Sequence, residues 1–141
     1  MEISIHRAAI EDAAAILKLN EAFDDVRATA AHIERCADFE TPFIATTEGR
    51  VVGFACLRLL PSICDEVPYA ELTELIVDPQ CRRQGVGRAL VRHIESEARA
   101  KGAARISLMC SWLNTDAHNF YHTLGYRLYT INMQRSLVAV E

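Results

Sequence analysis

The residues with the clearest chemical potential form one loop, Arg82-Arg83-Gln84-Gly85-Val86-Gly87. Its two glycines let the backbone turn its N–H groups toward one point without a side chain in the way. A helix is predicted to begin within this loop, and the free N–H groups and positive dipole end of a helix start attract anions. The loop therefore predicts a seat for a phosphate group, with a solvated basic helix start as the alternative.

Charge around the loop supports the phosphate interpretation. No acid lies between Gln80 and Ile94, although the whole chain of 141 residues has a net charge of -4. Acids, not arginines, normally stabilise the first turn of a helix. The arginines around this helix start would be compensated by a phosphate-bearing ligand. A P-loop lysine and hydroxyl are missing, and Leu90 stands where a dinucleotide fingerprint needs its third glycine. The cations concerned are Arg82, Arg83, Arg88 and Arg92.

Acidic residues cluster before the loop, in and around the strand predicted over residues 71–78. Between Arg58 and Arg82 the chain contains five acids and no lysine or arginine. Such a flank would draw a cationic acceptor, while the arginines draw an anion. Glu71 and Glu74 are the candidates for a proton-accepting base; their spacing of three places them on opposite strand faces unless a bulge intervenes. The five acids are Asp65, Glu66, Glu71, Glu74 and Asp78.

Two ordered motifs resemble the GNAT superfamily of N-acetyltransferases. The first is Val77-Asp78-Pro79 followed by the loop, which matches the acetyl-CoA-binding pattern Arg/Gln-x-x-Gly-x-Gly/Ala of that family. The second is Asn114 followed by the segment from Ala117 to Tyr126, with Phe-Tyr and Gly-Tyr pairs at the family spacing. The resemblance implies an α/β fold: a GNAT-type mixed central sheet with helices on both faces and parallel strands splayed around the cofactor.

The resemblance also implies a reaction and its residues. Acetyl-CoA would be the co-substrate, with no metal, and a primary amine of a cationic small molecule would attack directly in a ternary complex. Tyr121 matches the usual general acid, although it could instead be a core aromatic residue, and the position of Glu71 matches a common base. A backbone N–H near Ile76 or Val77 would polarise the thioester carbonyl. The cofactor-binding residues would be Ile76, Val77, Arg82, Arg83, Gln84, Gly85, Val86, Gly87, Arg88, Asn114 and Tyr121.

Other interpretations remain open at this level. Asn114 could cap a helix instead of contacting the cofactor. The acceptor could be a protein or peptide amine, and the chain could be an acyl-CoA-binding sensor that does not catalyse transfer. Nucleic-acid binding is disfavoured because the arginines are local in an acidic chain. His118 and His122 are four residues apart but lack the glutamate and third ligand of a zinc site.

Composition places the chain among ordinary globular proteins. Its length favours a single domain over residues 1–141. No apolar run is long enough to span a bilayer and no signal peptide is evident, so we expect a cytoplasmic protein without a membrane partner. Five cysteines without Cys-x-x-Cys spacing indicate neither a disulfide framework nor a zinc site.

Hydrophobic periodicity gives the element order that must position these residues. A last strand could pair with a neighbour's sheet, which makes a homodimer compatible with the sequence. Glu21, Asp24 and Asp25 form an acidic connection between the first two helices. The predicted strands are 3–7, 42–47, 51–60, 71–78, 105–110 and one or two within 126–138; the predicted helices are 11–20, 29–38, 86–101 and 115–125.

Overall fold

The computed structural model describes residues 2–20 and 25–139, so Glu21 and Asp24 of the predicted acidic connection lie outside the described residues. The chain divides into two compact units that meet in sequence between Met109 and Cys110. Among the described residues, the first unit contains five strands and three α-helices, and the second contains one α-helix. One domain over residues 1–141 stays a prediction.

The elements follow the predicted order up to residue 125. The second helix, α2 (Val26–Arg35), begins three residues earlier than predicted because Asp25 caps it, its Oδ1 accepting the N–H of Ala28 at 2.7 Å. Short 3-10 turns cover Ile10–Asp12 and Pro79–Cys81. The remaining bounds are β1 Ser4–Arg7, α1 Ala13–Asn20, α2 Val26–Arg35, β2 Glu40–Thr47, β3 Arg50–Leu60, β4 Tyr69–Val77, α3 Val86–Ala100, β5 Ile106–Leu108 and α4 Thr115–Thr123.

The five strands form one mixed sheet in the order β1-β2-β3-β4-β5. The first three pairings are antiparallel, and β4 pairs with β5 in parallel through the α3 crossover. Neighbouring residues of β2 face opposite sides, as strand geometry requires. Ile44 packs in a cluster with Ile16 of α1, whereas the Phe43 ring lies 4.9 Å from that of His93 on α3. The predicted mixed sheet with helices on both faces is confirmed.

Helix α3 is docked on the sheet by its apolar stripe. Val86, Leu90 and Ile94 are fully buried, as their four-residue spacing predicts. The sheet accepts the start of this helix at Gly53, where an added Cβ would lie 2.9 Å from Val86 Cγ1 and 3.0 Å from Leu90 Cδ1. Glycine at position 53 therefore leaves the space into which Val86 and Leu90 pack, and this packing positions the start of α3 and the loop before it.

The strands predicted within residues 126–138 are wrong. The described residues 126–139 contain no helix or strand, and every side chain from 127 to 139 is exposed. The alternation of apolar residues shows that a segment suits a pleated surface, but a strand also needs a partner backbone for its ladder. The homodimer, which rested on this strand, stays a prediction without that support.

Candidate functional site

The loop between β4 and α3 is anchored at its N-terminal end by Asp78. The N–H of Asp78 donates to Val52 O of β3 at 2.8 Å, and its Oδ1 accepts the N–H of Gln80 at 2.9 Å. Its other carboxylate oxygen lies 3.8 Å from Arg50 Nη1. Asp78 is therefore structurally engaged and does not belong to an acidic binding surface.

Two residues of the loop adopt the left-handed backbone conformation. Arg83 has φ 62° and Gly85, the N-cap of α3, has φ 86°. The left-handed region is favourable for glycine and costly for other residues. The second motif glycine, Gly87, lies instead in the first turn of α3 and has no positive φ. The prediction that both glycines turn the backbone is therefore wrong for Gly87, and the left-handed conformation of Arg83 was not predicted.

The start of α3 presents free backbone donors. The first intrahelical hydrogen bond runs from Ala89 N to Gly85 O at 3.0 Å. By helix geometry, the N–H groups of residues 86 to 88 have no acceptor one turn earlier. The side chains of Arg82, Arg83 and Arg88 are exposed beside them, whereas Arg92 Nη1 donates to Glu95 at 2.7 Å. This donor set fits a pyrophosphate such as that of coenzyme A.

Strand β4 continues past the end of its parallel partner. Its pairing with β5 stops at Leu72 opposite Leu108, whereas β4 runs to Val77. Because the N–H of Asp78 points to β3, alternation also directs that of Ile76 to β3 and that of Val77 to the opposite side. Of the two predicted carbonyl-polarising donors, Val77 is thus the one on the side that β5 leaves open.

A β-bulge brings the two candidate glutamates into one cavity. Opposite Cys56 and Leu57, β4 supplies Glu74 and Leu72, so Thr73 is an extra residue in the ladder. Glu71 and Glu74 consequently line the same cavity, together with Thr73. The sequence allowed this arrangement only if a bulge was present, and the structure contains it.

The cavity has a volume of about 480 Å³ and two kinds of wall. Helices α1 and α2 supply three apolar residues together with Asn20, Thr29 and His32, and β2, β3 and β4 supply the carboxylates and Arg58. This size is typical of small-molecule sites, which combine apolar walls with a few placed polar groups. The lining includes Ile16, Ile33, Phe54, Glu40, Arg58 and Cys56, besides Glu71, Thr73 and Glu74.

Glu40 is the cavity residue that sequence reasoning missed. The Thr73 hydroxyl donates to its Oε1, and Arg58 Nη2 lies 3.7 Å from the same oxygen. In the ladder, Arg58 stands between Glu40 on one side and Glu71 on the other. No local motif marks Glu40, because only the register of three strands brings it to Thr73; an acid two residues before the proline of a strand was the sole sequence signal.

Burial and neighbouring carboxylates raise the pKa of two cavity residues, the partly buried carboxyl of Glu74 and the buried thiol of Cys56. Burial, followed by the Glu40 carboxylate, raises the pKa of Glu74. Burial, followed by the charges of Glu40 and Glu74, raises the pKa of the Cys56 thiol far above its ordinary range. Cys56 is therefore a thiol at neutral pH and a poor nucleophile. Glu71 is buried, and its Oε2 accepts a hydrogen bond from Tyr69 Oη at 3.3 Å.

The second unit contains the remaining predicted residues. Asn114 is the N-cap of α4, since its Oδ1 accepts the N–H of Ala117 at 3.1 Å. Tyr121 is half-buried, and its ring centroid lies 5.1 Å from that of Phe120 and 5.7 Å from that of Tyr126. Burial, followed by electrostatic repulsion from Cys110, raises the pKa of Tyr121 to about 12. Its hydroxyl therefore keeps its proton at neutral pH and can donate a hydrogen bond.

The described residues contain neither a cluster of metal ligands nor a membrane-spanning helix. Within residues 2–20 and 25–139, no group of three His, Cys, Asp or Glu side chains could hold a metal ion. The described helices include none with the length and apolar character needed to cross a membrane. Neither finding adds a residue to the loop or the cavity.

Comparison with known proteins identifies the family. Residues 9–126 match the family model for the acetyltransferase (GNAT) family. The chain belongs to the GNAT family. It is 35% identical over 89 residues to the ribosomal protein bS18 alanine N-acetyltransferase of Escherichia coli K12, covering 63% of this chain and 56% of that protein. It is 34% identical over 84 residues to the aminoalkylphosphonate N-acetyltransferase of Salmonella typhimurium, covering 60% and 54%.

Solved structures agree on the architecture. The aminoglycoside N-acetyltransferase AAC(6′)-Iy in complex with CoA superposes with a TM-score of 0.81 and 22% identity, covering 97% of this chain and 96% of that one. Identity at this level shows the fold alone. The chain spans about half the length of the curated relatives named above, at 56% and 54%. These comparisons therefore establish the family and the fold of this GNAT chain.

Proposed function

We propose that this GNAT chain is an acetyl-CoA-dependent N-acetyltransferase that acts on a primary amine of a cationic small molecule. The observation that carries the proposal is the position of strand β4 between two sites. Its bulge contributes two glutamates to the cavity, and its C-terminal end leads into the loop of free backbone donors. One strand thus connects an acidic acceptor cavity with an anion seat.

The loop is proposed to bind the pyrophosphate of acetyl-CoA. The N–H groups of residues 86 to 88 would donate to phosphate oxygens, and the guanidinium groups of Arg82, Arg83 and Arg88 would neutralise their charge. Gln84 and Gly85 shape the turn between them. When bound, acetyl-CoA supplies the activated acetyl thioester. The relative solved with CoA supports this assignment, since it has the same fold.

The acidic cavity is proposed to bind and deprotonate the acceptor. An alkylamine with a pKa near ~10 is mostly protonated at neutral pH, so a base must accept its proton before it can attack. We assign this role to Glu74, because it lines the cavity, is exposed to solvent for proton release, and has a raised pKa. Glu71, which the family pattern favours, is the second candidate and is held by Tyr69.

Direct attack in a ternary complex agrees with the state of the cavity thiol. The raised pKa of Cys56 keeps it protonated, which argues against an acetyl-cysteine intermediate there. The N–H of Val77 is the proposed donor to the thioester carbonyl oxygen. Ile76 pairs with Phe54 of β3 and so holds this part of β4 in the sheet. Tyr121 is the proposed hydrogen-bond donor to the leaving sulfur, and Asn114 holds the start of its helix.

A peptide amine is the second candidate acceptor. The Escherichia coli relative is named as an alanine N-acetyltransferase of a ribosomal protein, which favours a protein N-terminus. The Salmonella relative is named for aminoalkylphosphonates, which are small amines. We favour the small amine because three carboxylates line one cavity of about 480 Å³, a size typical of small-molecule sites. The absence of a nucleic-acid partner and the cytoplasmic location stay predictions.

A thiol-release screen tests the proposal. The full chain is incubated with acetyl-CoA and pools of small monoamines, diamines, aminoglycosides or short peptides, and free CoA is measured. We expect release with small cationic amines and little release with peptides. Calorimetric binding of CoA without thiol release from any pool would instead identify an acyl-CoA sensor. Release with peptides alone would move the assignment to the second candidate.

A further inference from the structure

We propose that Arg50, at the start of β3, is a positioning residue for the loop that binds acetyl-CoA. Its guanidinium group joins the two ends of the 3-10 turn Pro79–Cys81, and this turn leads directly into the loop. The inference rests on the proposed function, because it assigns a role in CoA binding to a side chain outside the loop. In this role Arg50 acts through the loop backbone and does not itself contact the coenzyme.

The guanidinium group of Arg50 reaches one residue at each end of the turn. Its Nη1 lies 3.8 Å from a carboxylate oxygen of Asp78, the N-cap of the turn, and its Nη2 donates to Cys81 Sγ at 3.3 Å. A planar guanidinium holds its donors in a fixed fork, so one side chain can keep two acceptors in place. Arg50 therefore fixes Asp78 and Cys81 relative to β3.

Cys81 is the buried attachment of an exposed segment. Gln80 and residues 82–85 are exposed, whereas Cys81 is 4% exposed. Its N–H donates to Asp78 O at 2.8 Å, which closes the turn. Arg82, the first cation of the loop, follows Cys81 directly. A displacement of Cys81 would therefore move the loop through a single peptide unit.

Strand β3 supports the loop at both of its ends. At the first end, Arg50 contacts the turn and Val52 O accepts the N–H of Asp78 at 2.8 Å. At the second end, Gly53 leaves the space into which Val86 packs. The backbone donors proposed for the pyrophosphate begin at this second support. Donors that are held in place before binding lower the entropic cost of binding, so loss of one support should weaken CoA binding without changing the chemistry.

Calorimetry with CoA tests the inference on the full chain. Arg50→Met keeps an unbranched side chain but removes the guanidinium group, so CoA affinity should fall about two- to fivefold, the effect of one partly exposed charge pair. Arg50→Lys keeps a charge for Asp78 and should lose less. At saturating acceptor, KM for acetyl-CoA should rise in Arg50→Met while kcat stays unchanged. Arg27→Met removes the same charge from an exposed position on α2 and should bind CoA like the wild type.

A double-mutant cycle separates positioning from direct contact with the coenzyme. Asp78→Asn removes the charge that Arg50 contacts and keeps an oxygen for the N–H of Gln80. In the Arg50→Met background, Asp78→Asn should cause little further loss of CoA affinity, because the pair is already broken. Additive losses would show that Arg50 acts independently of Asp78 and would overturn the inference.

Alkylation of Cys81 by iodoacetamide reports the position of the loop without a transfer assay. The thiolate displaces iodide, and mass spectrometry of the Cys81 peptide separates this label from that on the exposed Cys64 and Cys110. Labelling should be slow in the wild type, severalfold faster in Arg50→Met, and slow again when acetyl-CoA saturates the variant. Loss of the neighbouring cation would by itself slow alkylation, so faster labelling reports exposure of the thiol.

The outcomes distinguish this inference from the proposed function. Wild-type CoA affinity in Arg50→Met, or unchanged labelling of Cys81 in that variant, would overturn the inference and leave the proposed acetyl transfer in place. A wild-type chain that binds no CoA would overturn the proposed function itself. Should Arg50→Met fail to fold, the same two measurements on Arg50→Lys decide, with a smaller loss of affinity expected and wild-type values refuting the role of Arg50.

Discussion

The loop at residues 82–88 and the cavity on β4 differ in what their binding groups are made of. The loop offers main-chain N–H groups that follow from one left-handed glycine and a helix start. The cavity offers side-chain carboxylates that come from three strands and depend on one bulge. A backbone site tolerates many side-chain replacements, while a side-chain site is sensitive to each of its members.

This difference predicts separable effects of mutation. Changes in the cavity should alter acceptor binding and turnover without altering CoA affinity. Changes in the loop backbone should alter CoA affinity before they alter the chemistry. A variant from either region that affects both quantities equally would show that the two sites do not act separately.

The largest expected effect comes from the proposed base. Glu74→Gln should lower kcat about 10²–10⁴-fold with the acceptor that the screen identifies, because no carboxylate remains to accept the ammonium proton. CoA affinity should stay unchanged. The matched control is Glu71→Gln, which removes the same charge from the same cavity and should have a smaller effect on kcat. A larger loss in Glu71→Gln would exchange the two roles, and unchanged kcat in both variants would remove the base from the mechanism.

The second effect concerns the phenol of the second unit. Tyr121→Phe should lower kcat roughly 10²-fold, since the leaving sulfur loses a donor, with CoA affinity unchanged. Because the pKa of Tyr121 is raised to about 12, the activity of the wild-type chain should show no loss from ionisation of this tyrosine between neutral and mildly alkaline pH. Tyr129→Phe, at an exposed position, is the control. If Tyr121→Phe turns over as fast as the wild type, Tyr121 is a packing residue.

The third effect tests the backbone character of the loop. Gly85→Ala places a side chain at φ 86°, where an L-residue costs about 1–2 kcal/mol, so CoA affinity should fall about 5–30-fold if the loop relaxes to relieve the strain. An added Cβ meets no atom within 4 Å there, which leaves strain as the cause. Gly49→Ala is a close control at φ 76° with the same open space. Equal CoA affinity in the wild type and Gly85→Ala would refute the role of this turn.

How far the sequence could predict the molecule follows from the same comparison. The loop was predictable because all its determinants are contiguous: a strand end at Pro79, arginines, glycines and an apolar helix stripe. Its details were less certain, since the positive φ of Arg83 has no sequence signal and Gly87 turned out to be helical. Contiguous residues reveal where a backbone site lies, but the φ angle of each one depends on its local packing.

The cavity was only partly predictable because its determinants are far apart in sequence. Glu71 and Glu74 were named, but their common face depends on a bulge that periodicity does not reveal. Glu40 reaches Thr73 across 33 positions of sequence, through the register of two antiparallel pairings. The wrong strands at 126–138 have the same origin, because a pattern records side-chain preference and not the presence of a partner strand.

The smallest expected effect is on stability and follows from the raised pKa of Glu74. Its ordinary value is 4.5, and burial followed by Glu40 raises it in the folded chain. The folded state therefore binds this proton more tightly than the unfolded state, so the contribution to stability is fully present below about pH 4.5 and is lost as pH rises through the folded value. Glu74→Gln removes this loss. The variant should unfold at a slightly higher temperature than the wild type at pH 7 and at nearly the same temperature at pH 4. The difference should be small, because Glu74 is exposed and solvent screens its charge.

Glu40→Gln provides a second test of the same shift. It removes one of the two causes of the raised pKa of Glu74, so the stability difference between pH 4 and pH 7 that this pKa causes should be smaller in Glu40→Gln than in the wild type. Thermal unfolding of the wild type and of both variants across this pH range provides the measurement. A larger advantage of Glu74→Gln at pH 4 than at pH 7 would contradict the sign of the shift and, with it, the assignment of a proton-accepting carboxylate to the cavity.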